Sequence, residues 1–120
     1  MKYKVNITGI GSYVTEMASE SDLLIIYNDT IKDQDLKDIS VTHTVSELKE
    51  DVQAGDKITI GTSQHTITAI GSVAIKTLRE LGHCTLKFSD STEVGLPGEI
   101  HITGDVPDIK TGDNICITTP

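Results

Sequence analysis

Eight short stretches of alternating apolar and polar residues, each closed by Gly, Asp or Asn, constrain this chain more than any other feature: residues 3–7, 23–27, 39–43, 57–60, 65–70, 84–88, 99–103 and 114–118. Side chains on a strand point to opposite faces in turn, so each stretch reads as a half-buried strand. Strands this short and this evenly spaced bury their apolar faces best by closing on one another. The expected fold is mainly β, a small barrel or sandwich of about eight short strands with one or two short helices. Val, Ile, Leu and Thr supply most of the apolar and branched side chains while Trp is absent, which suits pleated surfaces. With 120 residues, no low-complexity tract, no Pro/Gly/Ser-rich linker and no period of repeat length, residues 1–120 read as one domain with one core.

Two helices are expected between the strands. One has Ser72 as N-cap, an apolar stripe of Ala74, Leu78 and Leu81, and a stop at Gly82, with Lys76, Arg79 and Glu80 facing water. The other starts at Thr44, where Thr44-Val45-Ser46-Glu47 fits a capping box, runs on a stripe of Val45, Leu48 and Val52, and ends at Gly55. Residues 13–18 and 33–37 are too brief in pattern to separate from irregular loops.

The formal net charge is −8, and no Lys/Arg cluster offers a footprint for phosphate backbones, so nucleic acid is not an expected partner. The longest apolar run, residues 23–27, is far too short to span a bilayer, and the N-terminal stretch has no signal-peptide core. A cytoplasmic chain without membrane insertion is expected. Cys84 and Cys116 lack CxxC spacing and sit among apolar residues, where buried reduced thiols are the simplest reading.

Chemistry rests on four histidines, because no P-loop, GxSxG, HExxH or dinucleotide-binding pattern occurs. His43 ends a strand directly before the expected helix start, where free amides and the helix dipole favour an anion. Thr44, Val45 and Ser46 would then help to position a phosphoryl group on the ring. A neutral imidazole keeps one lone pair for nucleophilic attack. From position alone, the simpler and favoured reading is His43 packing on Leu48 as part of a hydrophobic staple. His83 follows Gly82 and either assists His43 or meets carbonyls of the preceding helix end. His101 points away from Ile100 and Ile102 towards a solvated or strand-paired surface, and His65 reads as structural. No HxH or HxxxH pair is present, so neither a metal nor another cofactor is expected.

Longer motifs tie the chain to a family. Gly71-Ser72-Val73-Ala74, then Leu78-Arg79-Glu80-Leu81-Gly82-His83-Cys84-Thr85-Leu86-Lys87-Phe88, resemble the central signature of glucitol/sorbitol-specific IIA proteins of the bacterial phosphotransferase system. Pro97-Gly98-Glu99-Ile100-His101-Ile102-Thr103-Gly104 with Val106-Pro107-Asp108 is similar to the family's closing motif. Thr42-His43, followed by Glu47-Leu48-Lys49, resembles the segment that carries the family's phosphorylated histidine, and the likeness runs in register from Ile7 to Gly112. The resemblance implies a cytoplasmic, β-rich phosphoryl carrier that takes phosphate from the phosphocarrier HPr on His43 and passes it to a cysteine of IIB, the partner of the IIC permease. It departs from the pattern at Val45, where some members have a second histidine, so any relay there must come from elsewhere, such as His83. A non-catalytic β module that binds a sugar or a regulator is the rival from another functional class.

Overall fold

The computed structural model describes residues 1–120. Its strands are β1 (Tyr3–Ile10), β2 (Leu23–Asn28), β3 (Ser40–His43), β4 (Lys57–Ile60), β5 (Ser63–Ile70), β6 (Cys84–Phe88), β7 (Glu99–Ile102) and β8 (Asn114–Thr118). Three short helices, α1 (Val14–Ser21), α2 (Gln34–Ile39) and α3 (Ala74–Leu81), lie between them. The strands close into a barrel in the order β1-β3-β2-β6-β7-β5-β4-β8, which decides between the barrel and the sandwich. The β2–β3 and β6–β7 pairs are parallel and the other six antiparallel.

Alternation is what places the core. In β4, β6 and β8 every second residue is buried, and Ile26, Ile58, Ile60, Ile67, Ile100 and Ile115 fill the interior. Each such side chain contributes roughly 1.5–3 kcal/mol on leaving water. Closure leaves no strand edge unpaired.

The barrel is built twice. Ile7-Thr8-Gly9-Ile10-Gly11-Ser12 returns as Ile67-Thr68-Ala69-Ile70-Gly71-Ser72, and Gly55-Asp56-Lys57-Ile58 returns as Gly112-Asp113-Asn114-Ile115. Exchanging β1, α1, β2, β3 and β4 with β5, α3, β6, β7 and β8 leaves the strand order unchanged. The local geometry repeats as well. A register shift falls between Ile7 and Gly9 in one half and between Ile67 and Ala69 in the other. The amides of Asn6 and Thr66 donate to the hydroxyls of Thr44 and Thr103, at 3.0 and 2.9 Å. Those of Gln53 and Lys110 donate to the carboxylates of Asp56 and Asp113, at 2.8 and 3.0 Å. A pseudo-twofold axis therefore passes between Ile25 and Thr85, which face each other, and between Thr59 and Cys116 on the far side. This corrects the expectation of no internal repeat: the likeness lives in backbone geometry and a few turn residues, while most side chains differ.

The helix expected from Thr44 is absent, and residues 44–49 are irregular. A capping box needs the Thr44 hydroxyl for its own helix, but Asn6 N–H uses it, while Thr44 N–H donates to Asn6 O at 2.9 Å and Lys49 N–H to Lys2 O at 2.9 Å. Pairing with β1 wins over the local signal. Leu48 and Val52 are still buried, reached by a non-helical chain, whereas Val45 is 61% exposed. Two details of α3 also differ from expectation. Its N-cap is Val73 and not Ser72, because Gly71 and Pro97 carbonyls already take the amides of Ala74 and Val73; and Leu81 lies exposed in the last turn. The segments 13–18 and 33–37 contribute to α1 and α2, the latter capped by the Asp33 carboxylate accepting from Asp35 and Leu36 N–H.

Candidate functional site

His43 closes β3 with its side chain turned inward. In the parallel ladder Ile26 faces Val41 and Asn28 faces His43, so Asn28 and His43 extend the face that Ile26 and Val41 bury, at one end of the barrel. The ring is 0% exposed. Nδ1 lies 2.8 Å from Thr44 O and Nε2 2.8 Å from Gly82 O. A neutral imidazole has one N–H, so the ring satisfies both carbonyls only as an imidazolium; otherwise one carbonyl meets a lone pair. Tyr3 stands edge-on to the ring, centroids 6.2 Å apart.

Gly82 makes this closure feasible. It ends α3 at φ +61°, where its amide reaches Leu78 O and Thr77 O, and a Cβ there would stand 2.7 Å from His43 Cε1 and collide with Asn28 Oδ1. Burial pushes the Cys84 thiol up to about 12, and burial first, then Cys84, holds the Tyr3 phenol far above its ordinary value. Both stay neutral at physiological pH. The buried Tyr3 hydroxyl and Asn28 Oδ1 have no hydrogen-bond partner.

The other expected helpers are only partly gathered here. Thr44 supplies a carbonyl to His43 and its hydroxyl to Asn6. The Val45 and Ser46 amides bond to nothing in the chain, but without the helix they are two loop amides and not a dipole end. His83 comes directly after the carbonyl that holds His43, yet its ring stacks on Tyr27 at 4.4 Å, with Nδ1 3.0 Å from Ile26 O and Nε2 unpaired. No hydrogen bond joins the two histidines. His65 is spent on Ser63 Oγ and Thr103 O. His101 is buried, which corrects the solvated placement: the loop after β6 covers it, with Ser91 O 3.3 Å from Nδ1 and Glu99 3.1 Å from Nε2. Burial alone would raise the Glu99 carboxyl, but hydrogen bonds from His101, Leu96 and Gly95 outweigh it and hold the carboxyl below its ordinary value. Cys84 is buried, Cys116 half-buried, and both are free thiols. The histidines do not converge: no group of three His, Cys, Asp or Glu side chains is arranged to hold a metal ion. Asn28, Tyr3 and the Gly82 carbonyl went unseen in the sequence, where Gly82 signals only a helix stop and Asn28 a strand end.

The same barrel occurs in the crystal structure of the phosphotransferase system IIA component from Enterococcus faecalis V583, with a TM-score of 0.84, 26% identity, and coverage of 95% of this chain and 98% of that one. That places the fold among IIA components. The glucitol/sorbitol-specific EIIA components of Shigella flexneri and Escherichia coli (strain K12) are 38% and 37% identical over 106 residues, 88% of this chain and 85% of theirs. The profile of the PTS system glucitol/sorbitol-specific IIA component matches residues 2–116. The chain belongs to that family, and its role is that of a phosphoryl carrier within the phosphotransferase system.

Proposed function

We propose that His43 is the carrier, that phosphate reaches it from phospho-HPr, and that it leaves for a cysteine of IIB, which with IIC takes up and phosphorylates a hexitol of the glucitol/sorbitol type. The observation that carries this reading is the broken symmetry of the barrel. The position of His43 in one half is that of Ile102 in the other, since Ile10–Val41 and Ile7–His43 correspond to Ile70–Ile100 and Ile67–Ile102. Burying an imidazole where an isoleucine serves costs free energy, and at His43 the exception falls in the segment that resembles the family's phosphorylated one, unlike the buried His65, whose ring is held by Ser63 and Thr103.

The geometry also supports a nitrogen. The tautomer whose Nδ1–H donates to Thr44 O leaves the lone pair on Nε2. Gly82 O faces that atom, so attack needs an unprotonated Nε2 and a displaced α3–β6 turn. Nε2 then forms the N–P bond as the bond to the donor breaks, and the departing electron pair stays with HPr. In the second step a IIB thiolate attacks phosphorus and the pair returns to Nε2. Positioning and charge stabilisation suffice for both steps, so no metal is required. The Val45 and Ser46 amides are the donors best placed in sequence to meet the equatorial oxygens.

His83 is the rival acceptor, favoured by its unpaired Nε2 and fixed Nδ1. Incubation with phosphoenolpyruvate, enzyme I and HPr, followed by mass mapping, separates them. His43→Ala is expected to take up no acid-labile phosphate while His83→Ala keeps at least part of the activity; the reverse pattern sinks the assignment. No uptake by the parent chain favours a non-catalytic module.

A further inference from the structure

We infer that Asn28 is a phosphoryl-positioning residue, whose amide turns its N–H donors onto the transferred group once His43 carries it; this rests on His43 being the carrier. The two halves of the barrel act as an internal control. Where the first half pairs Asn28 with His43, the second pairs Phe88 with Ile102, an apolar couple sealed into the core. Their neighbouring turns differ in the same sense. Phe88 N–H donates to Asp22 O at 2.9 Å, but Gly82 O, the counterpart of Asp22 O, takes His43 Nε2 and receives nothing from Asn28 N–H. One end of the barrel is closed by packing and backbone, the other by an imidazole and an amide.

The resting state leaves that amide poorly used. Asn28 Oδ1 is buried against Gly82 and has no hydrogen-bond partner. Phosphorylation changes what the pocket needs. A phosphoryl group on Nε2 occupies the atom that faces Gly82 O and brings anionic oxygens to the same place, so donors are then short and acceptors in excess. The asparagine amide is the side chain in register with His43 that has two N–H donors, and rotation about its last torsion exchanges the orphaned oxygen for them. Neither Phe88 nor any apolar residue can answer that demand.

The test begins by mapping phosphate in the 15N-labelled parent after incubation with phosphoenolpyruvate, enzyme I and HPr. Phosphate absent from His43 removes the carrier reading and this one with it. With His43 loaded, the Asn28 side-chain amide signals, assigned by their loss in Asn28→Ala, are expected to shift strongly. Initial rates of transfer from phospho-HPr should fall about 10-fold or more in Asn28→Ala, in the manner of a lost transition-state donor. Asn28→Asp should be slower still, since its carboxylate repels the phosphoryl oxygens; a purely structural asparagine would make the near-isosteric Asp the milder change. Unshifted amide signals with a parental rate in Asn28→Ala, or Asp outperforming Ala, overturn the inference and leave the carrier assignment standing.

Discussion

An imidazole held between two main-chain carbonyls is stable packing and poor readiness at once, and His43 shows both sides. Its counterpart Ile102 indicates what the fold would prefer there. His43→Ile is therefore expected to melt no lower than the parent while accepting no phosphate, a separation of stability from activity that calorimetry and the transfer assay read together. Tyr3 offers a second check. Its buried hydroxyl has no partner, so Tyr3→Phe should leave stability unchanged or raise it by up to about 1 kcal/mol in urea titration. His43 was legible as an anion-friendly strand end and, through the family motif, as a nucleophile. The carbonyl that closes on it was not, because Gly82 comes from a turn 39 residues away and contributes no side chain to read.

Elements differ in how far local pattern governs them. The strands were legible because burial alternates with period two, and α3 because its stripe ends at a glycine. The segment after His43 misleads for a physical reason: Leu48 and Val52 stand at helical spacing, yet an irregular chain paired to β1 buries both, and long-range bonds to Asn6 and Lys2 decide the outcome. That segment also leads to Asp56, whose buried carboxylate pairs with Lys2 Nζ at 2.8 Å. Lys2→Ala strands that charge and should cost roughly 3 kcal/mol, whereas Lys2→Met is not expected to do better, since the carboxylate remains. At β7 the lowered Glu99 carboxyl makes a pH prediction. A depressed folded value stabilises the protein above the ordinary carboxylate range, and that contribution fades as pH falls through it. Melting temperatures between pH 7 and pH 3 should thus drop less for Glu99→Gln than for the parent, once the neutral-pH loss is subtracted.

At the scale of the molecule, the pseudo-twofold axis relates the Ile60–Ser63 turn between β4 and β5 to the junction between β8 and β1, whose strands pair directly. Joining the chain ends by a short linker and opening that turn would exchange the halves without changing a strand pair. Such a permutant is expected to give the parental circular dichroism spectrum and to accept phosphate on the same histidine; loss of cooperative unfolding would show that the halves are less equivalent than their ladders suggest.

Barrel closure through β1 and β8 has a consequence for the chain as it is made. The first of these eight strands waits for one of its two neighbours until the last of them, β8, is made, and β4 waits for the same partner. For that interval two strands rich in isoleucine and valine hold open edges, the state in which nascent β proteins stick to one another or are held by chaperones. A released chain ending at Asp113 should accordingly be protease-sensitive along β1 and β4, and extension through Thr118 should protect both at once.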